Sequence, residues 1–302
     1  MLERLAPGFV VRWFARRYVA GGSLQEGLET AAGLAERRVL ASLDLLGEDV
    51  HRPEQIRRNV AVYERVIAAV AADPRLSLDG GRTTVSLKPS AFTAESMAAA
   101  AEPIRALAER CREAVVPLTL DMEDRRWTDW TLDLALELFG RGLDVGAVLQ
   151  TRLHRTEQDV ERIPEGMRIR LVIGIYPEPA AVALTRKRSM KERLVEYAAR
   201  LLERGARVEF ASHDEEFLRR FLGRVAPRAP ERCEVQMLLG VPRWEFIRRL
   251  QRGEFGPALP VRLYIPFALD WEEATVYLRR RMSESPGIGW LVLRNLMRRR
   301  GA

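Results

Sequence analysis

The stretch that decides the fold reads, in three successive pieces, RIRLVIG (168–174), MKERLVEYAARLLERG (190–205) and RVEFAS (207–212). The first and last pieces are short apolar runs, and the middle piece carries apolar residues at helical spacing. Strands that alternate with helices predict a parallel sheet, because each parallel connection needs a crossover long enough to cover one face of the sheet.

The same unit recurs along the chain. Eight apolar runs are separated by seven intervals, and most of the intervals contain a segment with helical periodicity. Eight such units predict an α/β fold of the (β/α)8 barrel type. A doubly wound sheet would carry a G-x-G-x-x-G turn after its first strand, whereas LLGEDV (45–50) stands there. The runs are VLASLDL (39–45), TTVSLK (83–88), VPLTLD (116–121), VGAVLQ (145–150), RIRLVIG (168–174), RVEFAS (207–212), EVQML (234–238) and PVRLYI (260–265).

The domain organisation follows from length and the absence of linkers. A chain of 302 residues with 47% hydrophobic content can bury a large core. We expect one catalytic barrel domain over residues 1–302, with an N-terminal helical segment at 1–37 and the barrel with C-terminal helices at 38–302. Ser23 is expected to start a helix in the first segment.

The charge is strongly basic, with a formal net charge of +7. Much of the excess lies in two basic amphipathic segments, VVRWFARRYVA (10–20) and LVLRNLMRRR (291–300). These segments permit peripheral attachment to acidic lipid, and solvated helix faces are the alternative. We expect no nucleic-acid partner.

Cysteine and histidine usage bounds the compartment and the chemistry. Cys111 and Cys233 are too few for a disulfide framework, and no apolar run approaches the roughly 20 residues of a membrane span. We therefore expect a cytoplasmic protein, with peripheral contact at the inner face of the membrane as an option. The three histidines are widely separated, so no metal site is expected.

Polar residues follow most of the predicted strands. In a (β/α)8 barrel the active site lies where the strands end, so these side chains predict a polar ring around one site. Taken singly, Asp44 or Asp121 reads as a helix cap and Lys88 as a snorkelling side chain. Buried polar groups cost free energy unless they are paired or used, which favours the site. The ring consists of Asp44, Lys88, Asp121, Gln150, Arg170 with Tyr176, His213, Gln236 and Tyr264.

A further polar group follows the eighth predicted strand. The segment WEEATVYLRRRMSE (271–284) carries Arg280, Arg281 and Glu284 on a predicted helix, and Arg280 and Glu284 share one face. Two arginines oriented by a glutamate can clamp a carboxylate. A solvated basic face with a surface ion pair is the alternative.

These motifs, in order, resemble those of bacterial monofunctional proline dehydrogenases over about nine tenths of the chain. The resemblance implies a distorted (β/α)8 TIM-like barrel with N-terminal helices and a C-terminal helix over the active-site mouth. The matching segments are RRYVAGGSLQEGL (16–28), ASLDLLGE, VSLK, LDMED, VLQTRLHRT, RLVIGIYPEP, FASHD, CEVQMLLGV, VRLYIPFALDW and YLRRRMSE.

The resemblance also implies an activity. Such enzymes oxidise L-proline to 1-pyrroline-5-carboxylate, the first step of proline catabolism, by hydride transfer to N5 of non-covalently bound FAD, and membrane quinone is the expected electron acceptor. A relative acting on another cyclic imino acid, and a barrel with weakened FAD binding that serves as a binding or regulatory protein, stay as alternatives.

Residue roles follow from the same resemblance. Asp121 and Arg170 occupy the catalytic positions near the flavin. The substrate would be bound by Lys88, Arg280 and Arg281, with Glu284 orienting one arginine, and walled by Tyr264 and Leu238. The FAD site would be formed by Met122, Gln150, Ile173, Gly174, Ile175, Tyr176, Ser212 and His213.

Several positions depart from the family pattern. Ile173 stands where the family has lysine, Ile175 where it has alanine, and Ser212 where it has threonine. Losing one cation near the FAD predicts an affinity lower by about ten- to a hundredfold. The segment TRKRSMK (185–191) offers four cations that could compensate. Leu239 and Phe267 stand where the family often has tyrosine.

Overall fold

A computed structural model describes residues 18–271, apart from residue 49 and residues 242–243. Eight parallel strands close into a barrel in which each strand pairs with the next and the last pairs with the first. All eight predicted runs are strands, which confirms the predicted (β/α)8 fold. The strands are β1 (Leu40–Leu45), β2 (Thr84–Leu87), β3 (Leu118–Leu120), β4 (Val145–Gln150), β5 (Arg168–Val172), β6 (Arg207–Ala211), β7 (Cys233–Leu238) and β8 (Val261–Phe267).

The described helices surround the barrel. They are α1 (Leu24–Ala35), α2 (Pro53–Ala72), α3 (Ala101–Glu113), α4 (Thr128–Gly140), α5 (Thr156–Glu161), α6 (Lys187–Glu203), α7 (Glu215–Arg224) and α8 (Trp244–Gln251). Short 3-10 helices lie at Pro74–Leu76, Pro89–Phe92, Met97–Ala100, Ala226–Arg228 and Pro230–Arg232, and a two-stranded hairpin joins Ser77–Leu78 to Gly81–Arg82.

The first helix begins where the sequence predicted. Ser23 Oγ accepts the backbone N–H of Glu26 at 3.2 Å, which satisfies one of the free donors of the first turn. The helix packs on β1 and β8. A Cβ on Gly27 would lie 3.3 Å from the ring of the fully buried Phe267.

The strand–helix–strand unit from β5 to β6 shows how the core is built. Ile169 pairs with Val208 and Leu171 with Phe210 across the two strands, and all four are fully buried in the layer between strands and helices. Helix α6 lays a buried face, including Leu194, Tyr197 and Leu201, on this layer. Because successive side chains of a strand point to opposite sides, the residues between these apolar positions point into the barrel.

The inside of the barrel is polar, although barrels of this type are mostly filled by branched apolar side chains. At its lower level Glu209 accepts from Arg168 Nη1 at 3.0 Å and from Gln236 Nε2 at 2.7 Å. Glu234 accepts from Arg262 Nε at 2.7 Å. Burial opposes ionisation of Glu209, but the surrounding arginines hold the pKa of this carboxyl below its ordinary value.

Within residues 18–271, leaving out the undescribed positions, no helix is both long and apolar enough to cross a bilayer. The same part of the chain holds no group of three or more His, Cys, Asp or Glu side chains placed to bind a metal ion.

Candidate active site

Lys88 lies at the carboxyl end of β2, inside a cage of acidic and phenolic groups. Its Nζ lies 2.5 Å from Asp44 Oδ2, 3.0 Å from the Tyr264 hydroxyl and 3.6 Å from Asp121 Oδ2. Burial alone would lower the pKa of Lys88, but the Asp44 carboxylate, with Tyr264 and the other acids, holds it well above the ordinary value. Lys88 is therefore a buried cation.

Asp44, at the end of β1, is completely buried. Burial raises the pKa of Asp44 to about 7, against the attraction of Lys88. Its second oxygen, Oδ1, is buried without a hydrogen-bond partner among the described residues. Asp44 belongs to the polar ring that the sequence predicted, and the structure makes it the partner of Lys88.

Asp121 joins the other members of the cluster. Its Oδ1 accepts from Arg170 Nη1 at 2.7 Å, and its Oδ2 accepts from the Tyr264 hydroxyl at 2.6 Å. The Arg170 guanidinium also lies over the Tyr264 ring, 5.2 Å from its centroid. The structure thus brings together four side chains from different strands: Lys88 and Asp121 directly follow β2 and β3, whereas Arg170 and Tyr264 lie within β5 and β8.

The guanidinium of Arg170 is held from below as well. Its Nε donates to Gln236 Oε1 at 2.6 Å, and its Nη2 donates to Ser42 and Ser86 at 3.2 and 3.1 Å. Gln236 is in turn fixed by Glu209. Since these partners come from β1, β2 and β7, Arg170 is locked in one orientation.

Sequence reasoning missed Ser42, Ser86 and Glu209 as parts of this arrangement. The signal was present, because in ASLDL (41–45), TVSLK (84–88) and RVEF (207–210) polar residues alternate with apolar ones. A strand covered on one side only shows this alternation. Its meaning was hidden because the strand register, which the sequence does not state, decides which residues meet.

The turn after β5 shows why a glycine is needed. Gly174 has a φ of +86°, a conformation that favours glycine, and a Cβ there would lie 2.5 Å from Gln150 Oε1. The Gln150 amide nitrogen donates to the carbonyl of Glu123 at 2.7 Å. Beside Gly174, Ile173 is half-buried and the Ile175 side chain is 37% exposed.

The remaining predicted flavin residues lie at other strand ends. Met122 is buried directly after β3. Ser212 Oγ accepts the Asp214 N–H at 3.1 Å, before α7. His213 Nε2 accepts the Leu238 N–H at 3.1 Å, which ties the ends of β6 and β7 together.

Other predicted residues do not join the site or lie elsewhere. Arg280, Arg281 and Glu284, and with them the predicted C-terminal helix over the mouth, lie outside the described residues. Phe267 is fully buried and packs on Gly27. The family often has a tyrosine at this position, and its change to Phe267 therefore affects the packing of the core below α1.

Two observations on described residues fit a flavin nucleotide at this end of the barrel. Arg170 provides a fixed, buried positive charge, which suits an acceptor that becomes negative on reduction. The Nε of Arg152, beside the Gly174 turn, is buried without a hydrogen-bond partner and suits an anionic group. Gln150 could supply an amide contact to the ring system.

Comparison with known proteins gives a consistent result. A family model described as proline dehydrogenase matches residues 27–287. Proline dehydrogenase 1 of Bacillus subtilis subsp. natto is 28% identical over 304 residues, covering 99% of this chain and 95% of that protein. Proline dehydrogenase of Deinococcus radiodurans is 28% identical over 295 residues, covering 94% and 90%.

Solved structures share the fold. Proline utilization A (PutA) from Bdellovibrio bacteriovorus, inactivated by N-propargylglycine, superposes with a TM-score of 0.77 at 22% identity. The match covers 91% of this chain and 33% of that one, so this chain spans about a third of the PutA protein.

Proposed function

The chain belongs to the proline dehydrogenase family, and from this premise we propose that it oxidises L-proline to 1-pyrroline-5-carboxylate with FAD as its cofactor. The observation that carries the proposal is the buried cluster of Lys88, Asp121, Arg170 and Tyr264 at the carboxyl end of the barrel. Such a cluster places fixed, charged side chains where they can contact both the carboxylate of a substrate and a redox cofactor.

FAD, when bound, supplies the acceptor for the hydride that leaves the carbon beside the ring nitrogen of proline. Arg170 stabilises the negative charge that the hydride brings, because its guanidinium is fixed by four hydrogen bonds and needs no reorganisation.

 The four hydrogen bonds of Arg170 go to Gln236, Asp121, Ser42 and Ser86. A longer ionic contact of 3.8 Å joins Arg170 Nε to Glu209 Oε2.

Lys88 is proposed to bind the substrate carboxylate together with Arg280 and Arg281, with Glu284 orienting one arginine. The support in the described part of the chain is the buried Lys88 ammonium, which its acidic neighbours keep charged against the effect of burial. Tyr264 and Leu238 are proposed to wall the pyrrolidine ring. Asp121 positions both Arg170 and Tyr264, because each of its oxygens accepts a hydrogen bond from one of them.

The flavin is proposed to lie against Met122, Gln150, the turn from Ile173 to Tyr176, Ser212 and His213. We further propose membrane quinone as the electron acceptor, with the basic segments 10–20 and 291–300 making peripheral contact with acidic lipid.

The activity is tested by an anaerobic titration of the FAD-loaded protein with L-proline. Proline is expected to bleach the visible absorption of oxidised flavin, with one flavin reduced for each proline oxidised. If excess FAD gives no spectrum of bound flavin, the proposed oxidation of proline and the alternative oxidation of another cyclic imino acid are both wrong. If the flavin is bound but only an imino acid of a different ring size bleaches it, the substrate assignment is wrong and the flavin assignment stands.

Ile173→Lys is expected to tighten FAD binding. Ile173 is half-buried beside the Gly174 turn, so a lysine there adds a cation at the proposed flavin face, and we expect the dissociation constant to fall by about tenfold. Flavin fluorescence titration measures this constant. Val115→Lys is the control, because it adds the same charge at a 75% exposed position before β3, at the opposite end of the barrel. Unchanged or weaker binding in Ile173→Lys would mean that Ile173 does not face the cofactor.

A further inference from the structure

Arg152 is a half-buried cation that has no carboxylate partner within the described part of the chain. It lies two residues after β4, and its Nε is buried with no hydrogen-bond partner among the described residues. Burial lowers the pKa of Arg152, and the charge of Glu178 opposes this shift. An unmade hydrogen bond to a buried donor costs free energy, so this guanidinium is suited to an anion that the protein itself does not provide.

Neighbouring arginines show that carboxylates are available in this region. Arg155, three residues further on, pairs with Asp129 at 2.5 Å and with Asp159 at 2.8 Å. Glu178, the acid that acts on Arg152 electrostatically, accepts the N–H of Arg125 at 2.8 Å. Among the residues that the structure describes, no carboxylate lies within 4 Å of Arg152. Since nearby arginines do have carboxylate partners, this feature distinguishes Arg152 from them.

The position of Arg152 relates it directly to Ile173. The backbone N–H of Arg152 donates to the Ile173 carbonyl at 3.2 Å, so the two residues are neighbours on adjacent strand ends. The Arg152 side chain covers the turn, since its Cδ lies 3.0 Å from the place where a Cβ on Gly174 would stand. Its Nη1 donates to the Tyr176 carbonyl.

We propose that Arg152 binds a phosphate oxygen of the flavin nucleotide and supplies the positive charge that Ile173 does not. The inference rests on the proposed function, because it takes FAD as the ligand. A guanidinium offers several donors in a planar fork that fits phosphate oxygens, and one of these donors, Nε, has no hydrogen-bond partner among the residues that the structure describes. The positive charge thus comes from the loop after β4, which lies beside the end of β5 that Ile173 follows.

The segment TRKRSMK (185–191) is a weaker source of this charge. Lys191 is paired with Asp214 at 2.5 Å, and Arg188 lies 3.2 Å from both Glu192 and Glu216. Two of the four cations are therefore already neutralised by carboxylates.

The test compares FAD with riboflavin, which has the same ring system and no phosphate. The full chain, freed of flavin, is titrated with each ligand. Arg152→Gln is expected to raise the dissociation constant of FAD by about ten- to a hundredfold and to leave that of riboflavin within about twofold. Arg152→Lys keeps the charge and is expected to lose less FAD affinity than Arg152→Gln. Arg207→Gln is the matched control, because it removes an exposed charge at the start of β6.

Each outcome decides the proposal. Equal weakening of FAD and riboflavin by Arg152→Gln would mean that Arg152 supports the turn only, and unchanged FAD affinity would mean that it does not contact the phosphates. A loss of FAD affinity in Arg207→Gln equal to that in Arg152→Gln would point to a diffuse positive field. Any of these results overturns the proposal and leaves the proposed function standing. A wild-type chain that binds neither flavin refutes the proposed function itself.

A double-variant cycle adds a readout of proximity. If Arg152 and a lysine at position 173 serve the same phosphate, Ile173→Lys should improve FAD affinity by a larger factor in the Arg152→Gln background than in the wild type. Equal factors in the two backgrounds would show independent sites and would contradict the shared role. Circular dichroism and thermal unfolding confirm that each variant is folded before its affinity is compared.

Discussion

Arg170→Met is expected to lower kcat by a factor on the order of 10² to 10³, the usual effect of removing one fixed donor that stabilises developing charge. It is also expected to lower the free energy of unfolding by about 3 to 5 kcal/mol, because the buried Asp121 would lose the guanidinium that donates to its Oδ1. Arg170 donates to Asp121, Gln236, Ser42 and Ser86, so a single substitution leaves several buried acceptors unpaired. Stopped-flow reduction of the flavin by proline and urea unfolding measure the two effects.

Two variants separate chemistry from stability. Arg207→Met makes the same substitution at an exposed position on the neighbouring strand and is expected to change the free energy of unfolding by less than about 0.5 kcal/mol. Gln236→Leu removes the Nε acceptor without touching the charge and should show a smaller loss of kcat than Arg170→Met. Flavin reduction at the wild-type rate in folded Arg170→Met would disprove the catalytic role.

Lys88→Met is expected to be strongly destabilising and to weaken substrate binding. Removing one member of a buried ion pair typically costs about 3 to 5 kcal/mol, because the partner charge, here Asp44, is left uncompensated. The loss of the contact to the substrate carboxylate should also lower kcat/KM, by an amount that corresponds to about 2 to 5 kcal/mol of transition-state binding. Chemical denaturation and steady-state kinetics with proline measure these effects. A normal KM for proline in a folded Lys88→Met protein would place the carboxylate elsewhere.

The destabilisation should depend on pH. The pKa of Asp44, about 7 in the folded state, lies above its ordinary value of 3.8, so the folded protein holds this proton more tightly than the unfolded chain. Its contribution to stability is therefore full below pH 3.8 and is lost as the pH rises through about 7. Lys88→Met should consequently be closer to the wild type at pH 5 than at about pH 8. The double variant Asp44→Asn with Lys88→Met should recover part of the loss, since it leaves no unpaired charge.

The strands and their carboxyl ends were predictable because apolar runs and the residues that follow them are local properties of the sequence. The prediction of the eighth strand ended at Ile265, whereas β8 runs to Phe267. The residue after Ile265, Pro266, has no N–H to donate to a neighbouring strand. In the structure its carbonyl accepts the N–H of Ala20 at 2.8 Å, so the strand end is held by the segment before α1.

The interior of the barrel and the proposed role of Arg152 could not be predicted in the same way. Arg168 and Glu209 are 41 residues apart in the chain and meet only because β5 and β6 pair in one register. The sequence analysis placed Gln150 in the polar ring and did not single out Arg152, two residues later. What distinguishes Arg152 from a surface arginine is its buried Nε, which has no hydrogen-bond partner among the described residues.

The polar interior of the barrel has a consequence for how this protein can change over time. In the described part of the chain, ion pairs there join Lys88 to Asp44, Arg168 to Glu209, Arg170 to Asp121 and Arg262 to Glu234. A substitution at one of these positions leaves the partner charge buried and unpaired, so we expect tolerated changes to replace both members of a pair. An engineer who wishes to retune this enzyme would therefore treat the pair as the smallest unit of design, and a lineage that drifted here would be expected to show paired replacements.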